Sequence, residues 1–279
     1  MDDVERAIRE KYSLIQEFFR IIADELQVQD SSTNEKLEKL ITSLIEEDLH
    51  ARTLRKGTTL YRARRYTEPD AQERFLNPPK NMFQGYDKGN SYANLKNPTA
   101  GRCNPIGISS IYICGTDECC LAEIDAKENE YISMAKIRVN QPLKILEIAT
   151  DCVASFGSSM TMIPGIEDSD VILYLSVFFS QLCEDMEGYQ LTQYLSRRIK
   201  EEGYDGISFY SSKYNGLSRI NYAVFISELP KPDYKLCEPV SSVMYRITGV
   251  HKEFAFDSSR GFDSKREMIS EFFWETSPK

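Results

Sequence analysis

Arg102-Cys103-Asn104-Pro105-Ile106-Gly107-Ile108-Ser109-Ser110-Ile111-Tyr112 takes an arginine out of a loop rich in glycine, asparagine and proline into a short apolar run that reads as a strand. Further on, Leu121-Ala122-Glu123-Ile124 sets one glutamate inside an otherwise apolar stretch with helical spacing. Strand-like and helix-like runs continue on both sides. The strand-like ones are Thr59 to Ala63, Ile111 to Cys114, Tyr131 to Val139, Leu143 to Ile148, Gly206 to Tyr210 and Ile220 to Ile226. The helix-like ones are Asp117 to Ala126, Val171 to Met186 and Thr192 to Glu202, the last stopped by Gly203. Strands interspersed with a few helices, without regular alternation, predict an α+β fold.

The flanks read differently. Ile8, Tyr12, Ile15, Phe19, Ile22 and Leu26 form one apolar stripe, and Leu37, Leu40, Ile41, Leu44 and Ile45 form a second. Between them Ser32 and Glu35 fit a capping box, so residues 1 to about 50 are expected as a helical hairpin. Two stripes need cover, either from the domain behind them or from a second copy of the chain, which makes a homodimer an expectation. The stretch from Tyr66 to Asn104, rich in Pro, Gly and Asn, reads as loops. After Pro230 a boundary is expected, followed by a strand hairpin and a last helix from Lys265 to Phe273. The resulting division is 1–55, helical; 56–230, the mixed domain; and 231–279, a C-terminal extension.

With 279 residues, 41% of them hydrophobic, the chain can bury an ordinary core. A net charge of −9 opposes non-specific binding to nucleic acid or to an anionic membrane. Arg62, Arg64, Arg65 and Arg102 are candidates for a local basic pocket. The longest apolar run, Val171 to Phe179, is far below the roughly 20 residues that span a bilayer. The acidic start lacks the pattern of a signal peptide. Seven cysteines without a C-x-x-C pair read as reduced thiols, so the cytoplasm is the expected compartment. Cys119-Cys120 is read as simple packing. Two histidines, His50 and His251, are too few and too isolated for a zinc site or a Ser-His-Asp triad, and no metal is expected. No Gly-x-Gly-x-x-Gly or Walker loop is present.

The opening layout allows a phosphate-binding cation, an aromatic platform and a lone carboxylate to share one cleft. That set suits cleavage of a nucleotide's glycosidic bond. Arginine grips phosphate oxygens through a planar fork of donors, which Arg102 and the other arginines of that pocket offer. A fixed carboxylate at Glu123 would stabilise positive charge developing on a ribose. A bland alternative pairs Glu123 with Lys127 four residues on. Gln193 and Asn221, polar residues inside patterned segments, read as structural ties.

These pieces, in their order, resemble the RES domain family. The matching segments are Leu60-Tyr61-Arg62-Ala63-Arg64, Gly101 to Ile108 with Tyr112, Leu121-Ala122-Glu123-Ile124, and Pro142-Leu143-Lys144-Ile145-Leu146. Thr192-Gln193-Tyr194, Gly203-Tyr204-Asp205-Gly206-Ile207-Ser208-Phe209-Tyr210-Ser211-Ser212 and Asn221-Tyr222-Ala223-Val224-Phe225 complete the set. The resemblance implies an ADP-ribosyltransferase-like fold with a split β-core, and an enzyme that degrades NAD⁺ or transfers its ADP-ribose to a protein. It implies that Arg62 and Arg102, with Tyr61 beside them, bind NAD⁺, and that Glu123, Tyr112 and Ser211 are catalytic. NAD⁺ is then a substrate and no cofactor is implied. Family members are often toxins held by an antitoxin, so such a partner is expected. Cys103 replaces a larger residue of many members, and Ser211-Ser212 leaves the family serine ambiguous by one position. The reading from another class is a non-catalytic nucleotide-sensing or interaction module.

Overall fold

The structure, a computed structural model, describes residues 51–93, 95, 98–104, 109–149, 179, 189–211, 213–214, 218–226, 232, 234–254 and 260–268. The expected N-terminal hairpin and the run from Val171 to Met186, Phe179 apart, lie outside the described residues. The described chain forms two compact units that trade segments along the sequence. Residues up to Arg52, those of 100–106 and those of 144–210 make the first, and 53–99, 107–143 and the residues from Ser211 onward make the second.

The described residues have a mixed α+β architecture. The strands are β1 (Ala51–Leu54), β2 (Thr59–Arg65), β3 (Ser110–Cys114), β4 (Tyr131–Val139), β5 (Leu143–Glu147), β6 (Gly206–Tyr210), β7 (Ile220–Phe225), β8 (Cys237–Phe254) and β9 (Arg260–Met268). The helices are α1 (Glu68–Leu76), α2 (Asp117–Glu123) and α3 (Gln190–Glu201). In the second unit the strands run in the order β7-β3-β2-β4-β8-β9, every neighbouring pair antiparallel. In the first unit β5 and β6 are parallel, with Ile145 opposite Gly206 and Glu147 opposite Ser208. β1 lies beside β5, and Arg52 pairs with Glu147 at 2.7 Å.

Two joints bear on the site. α3 stops at Gly203, whose φ of 83° is the left-handed conformation that glycine adopts without strain, and its N–H reaches the Lys200 carbonyl at 3.0 Å. Asp205 then locks β6 to β5 twice: its N–H donates to the Lys144 carbonyl and its Oδ2 accepts from the Lys144 N–H, both at 2.8 Å. The other joint concerns β2 and β3, which meet at one register pair, Tyr61 with Cys114, while β2 pairs with β4 along its whole length. The two strands part just beyond Tyr61.

Three expectations need correction. The stretch after Tyr66 is not all loop, because Thr67 caps α1 through its hydroxyl and Pro69 occupies the first turn, where a missing N–H costs nothing. Ala51–Leu54, expected at the end of a helical segment, is a strand. Lys265 to Met268, expected to open a last helix, belongs to β9, which pairs with β8. The residues after 231 also supply β8, built onto β4 from Tyr131 to Val139.

A loop covers the face of β4 and β8 at Gly85. The Gly85 N–H donates to Ser242 Oγ at 3.1 Å, and the Tyr86 N–H donates to Ser133 Oγ at 2.8 Å. A Cβ at Gly85 would stand 2.4 Å from Ser133 Oγ and 3.0 Å from the Val243 carbonyl. Gly85→Ala should therefore destabilise the protein by about 1–3 kcal/mol in denaturant unfolding. An unchanged midpoint would show that this loop yields freely.

Candidate active site

α2 is short and both its ends are fastened. Thr116 Oγ1 accepts from the Cys119 N–H at 3.2 Å, with Asp117 and Glu118 in the first turn, where negative charge is favoured. Cys119, Cys120, Leu121 and Ala122 are buried, and Glu123, the next residue, is half-buried. The helix ends there, and Asp125 turns the chain away with a φ of 52°. Its last carbonyls are taken by cations. Lys213 Nζ donates to the Glu123 carbonyl at 2.9 Å, and Arg65 Nη2 donates to the carbonyls of Ile124 and, at 2.7 Å, Asp125. Pairing of Glu123 with Lys127 does not form, because the helix ends at Glu123 and Lys127 is no longer one helical turn further on.

The Glu123 carboxylate is held on one side. Its Oε1 accepts from the Ser211 hydroxyl at 2.5 Å and from Asn221 Nδ2 at 2.8 Å. Hydrogen bonds to a charged group contribute about 1.5–3 kcal/mol each, enough to fix the orientation of the group. Among the described residues nothing donates to Oε2. Ser211 is itself pinned, because its Oγ accepts from the N–H groups of Lys213 at 3.1 Å and Tyr214 at 3.0 Å, and its own N–H reaches the Arg219 carbonyl at 2.8 Å. Ser212 lies outside the described residues. The hydroxyl that meets Glu123 is that of Ser211.

Asn221 sits on β7 opposite Cys114 of β3. Its Oδ1 accepts from Cys114 Sγ at 3.1 Å and Cys119 Sγ at 3.5 Å. The sequence places it among structural ties, and what it ties is the carboxylate. The available signal was an amide in a buried position of an otherwise apolar strand, since a buried polar group requires a partner. Gln193 is the tie it was expected to be, donating to the Gly101 carbonyl at 2.9 Å.

Arg62 follows Tyr61, where β2 and β3 part. Its Nη1 donates to the Tyr112 carbonyl at 2.9 Å, and its Nε is buried without a partner. Burial, then the neighbouring charge of Arg64, pulls its pKa down to about 10, so it stays charged at neutral pH. No carboxylate pairs with it among the described residues. Arg64 and Arg65 are otherwise engaged, Arg64 on the Asn90 carbonyl and the Tyr86 ring, Arg65 at the end of α2. Tyr112 lies half-buried in mid-β3, paired with Ala223, and Tyr61 packs on the apolar cluster around α2.

Arg102 belongs to the first unit. It is 8% exposed, its carbonyl accepts from Thr192 Oγ1 at 2.7 Å, and its guanidinium lies 5.1 Å from the Phe209 ring centre and 5.9 Å from that of Tyr189. Its Nε is also buried without a partner. The third such atom among the described residues is the Tyr66 hydroxyl. A desolvated guanidinium with an unused donor is a ready ligand for an anion. No group of three or more His, Cys, Asp or Glu side chains that could hold a metal stands together among the described residues.

The second unit thus presents a carboxylate fixed by neutral donors and a buried arginine that no carboxylate pairs with among the described residues. The RES domain model matches residues 60–248, and the chain belongs to that family. No curated protein matches it. One similar solved structure is the crystal structure of the M. tuberculosis MbcT-MbcA toxin-antitoxin complex, at 15% identity and a TM-score of 0.39, covering 74% of this chain and 92% of that one. No helix among the described residues is long and apolar enough to cross a membrane.

Proposed function

We propose that this chain consumes NAD⁺ by cleaving the bond between nicotinamide and ribose. The observation that carries the reading is the Glu123 carboxylate, held on Oε1 by Ser211 and Asn221, with no donor to Oε2 among the described residues. As nicotinamide leaves, positive charge grows on the ribose, and a carboxylate already oriented stabilises it without reorganising. Ser211 acts by holding that carboxylate, and Tyr112 orients the nicotinamide end. Arg62 grips the pyrophosphate, with Tyr61 beside it. Arg102 is assigned to the same substrate on the family resemblance and on its own unused Nε. The parting of β2 from β3 at Tyr61 supports an ADP-ribosyltransferase-like split core.

The acceptor of the ADP-ribose is water, inorganic phosphate or a protein side chain. Purified protein with NAD⁺, with and without phosphate and with cell extract, tests the reading by product analysis. Nicotinamide should appear together with free, phosphorylated or protein-linked ADP-ribose. Absence of nicotinamide under all three conditions would overturn the proposal. By the family's habit the cellular role is that of a growth-inhibiting toxin or defence effector restrained by an antitoxin. Induced expression should then arrest growth and lower cellular NAD⁺, and Glu123→Gln should abolish both effects.

A further inference from the structure

We propose that Asn221 is a positioning residue for Glu123, with its amide turned toward the carboxylate by the thiols of Cys114 and Cys119. This rests on the reading of Glu123 as the carboxylate that stabilises the developing charge. A side-chain amide has a donor end and an acceptor end, and only one orientation satisfies both of its neighbourhoods. With Nδ2 toward Glu123, the contact of 2.8 Å to Oε1 is a donor meeting an acceptor. Reversed, the same contact would set two oxygens against each other. At the other end Oδ1 needs protons, and the thiols of Cys114 and Cys119 provide them at 3.1 and 3.5 Å.

Water does not replace these donors easily, since Asn221 is 5% exposed, Cys114 6% and Cys119 0%. The thiol of Cys114 keeps its proton. The adjoining thiols of Cys119 and Cys120, followed by burial, hold its pKa well above the ordinary thiol value. The three groups come from three elements: Cys114 from β3, Asn221 opposite it on β7, and Cys119 from the first turn of α2. The helix that presents Glu123 at its end therefore also sends a thiol back to the amide that orients Glu123. Cys119 is thus more than packing.

The test compares two double variants, judged folded by their thermal transitions. Cys114→Ala with Cys119→Ala removes both donors, while Cys114→Ser with Cys119→Ser keeps an O–H at each place. The alanine pair should lower kcat for nicotinamide release about tenfold with KM within twofold, because a buried acceptor is left unsatisfied. The serine pair should restore most of that loss. Equal kcat in the two pairs would overturn the proposal. A second variant, Asn221→Asp, keeps the shape but places an acceptor against Oε1. It should lower kcat at least tenfold at neutral pH, and turnover equal to the parent's would also overturn the proposal. A readout independent of turnover separates this inference from the proposed reaction. The Asn221 side-chain amide resonance, identified by its loss in Asn221→Asp, should move in the alanine pair and stay near its place in the serine pair. If the parent releases no nicotinamide, the proposed reaction fails, and this resonance alone decides the role of the thiols. A resonance unmoved in the alanine pair overturns it.

Discussion

Glu123→Gln should reduce the rate of nicotinamide release by about 10²-fold or more, which corresponds to about 2.7 kcal/mol of barrier. Glutamine keeps the size of the side chain, and its carbonyl can still accept from Ser211 and Asn221 at the place of Oε1. What it removes is the negative charge that the proposed reaction sets against the ribose. NAD⁺ affinity should change little, because that charge matters most when the bond is breaking. The measurement is single-turnover nicotinamide release beside a binding isotherm for NAD⁺. Release near the parent rate by a folded variant would remove Glu123 from the mechanism.

Arg62→Lys should weaken NAD⁺ binding about tenfold or more, read by calorimetry. An ammonium is a point charge that cannot both serve the Tyr112 carbonyl and present a second, parallel donor to a pyrophosphate. The buried Nε now without a partner is lost as well. Arg102→Lys should behave similarly, with the added loss of the flat guanidinium over Phe209 and Tyr189. Two folded variants that bind NAD⁺ as tightly as the parent would show the pyrophosphate assignment to be wrong.

Much of this was legible in the sequence where the local pattern and the final environment agree. Tyr131–Val139 and Gly206–Tyr210 match their expected spans because β-branched and aromatic residues there fill buried positions of a sheet. Gly203 ends its helix as expected, because only a residue free of a Cβ takes that φ cheaply. α1 was masked by the prolines, glycines and asparagines around it, although Thr67 and Pro69 are start signals. Lys265 to Met268 are good helix formers drawn into a strand by β8, an override that no local window can reveal.

The site divides in the same way. Glu123 and Ser211 were found through an ordered set of short motifs, and the structure joins them by a hydrogen bond. Asn221, Lys213 and Arg65 meet Glu123 or its helix end from far along the chain, where spacing carries no information. That the Ser211 hydroxyl meets Glu123 across 88 residues of sequence is likewise a fact of geometry, not of spacing.

The exchange of segments between the two units has a consequence for how this protein can be inherited and dissected. The chain passes from one unit to the other after Arg52, Thr99, residue 106, Leu143 and Tyr210. No single cut yields an autonomous half. A fragment ending at Leu143 lacks β7, the neighbour that β3 requires, and one starting at Lys144 carries β7 and β8 without β3 and β4. The units therefore cannot be shuffled like beads on a string. Recombination must transmit the stretch whole, and split reporters or fusion junctions belong in the loops at its surface.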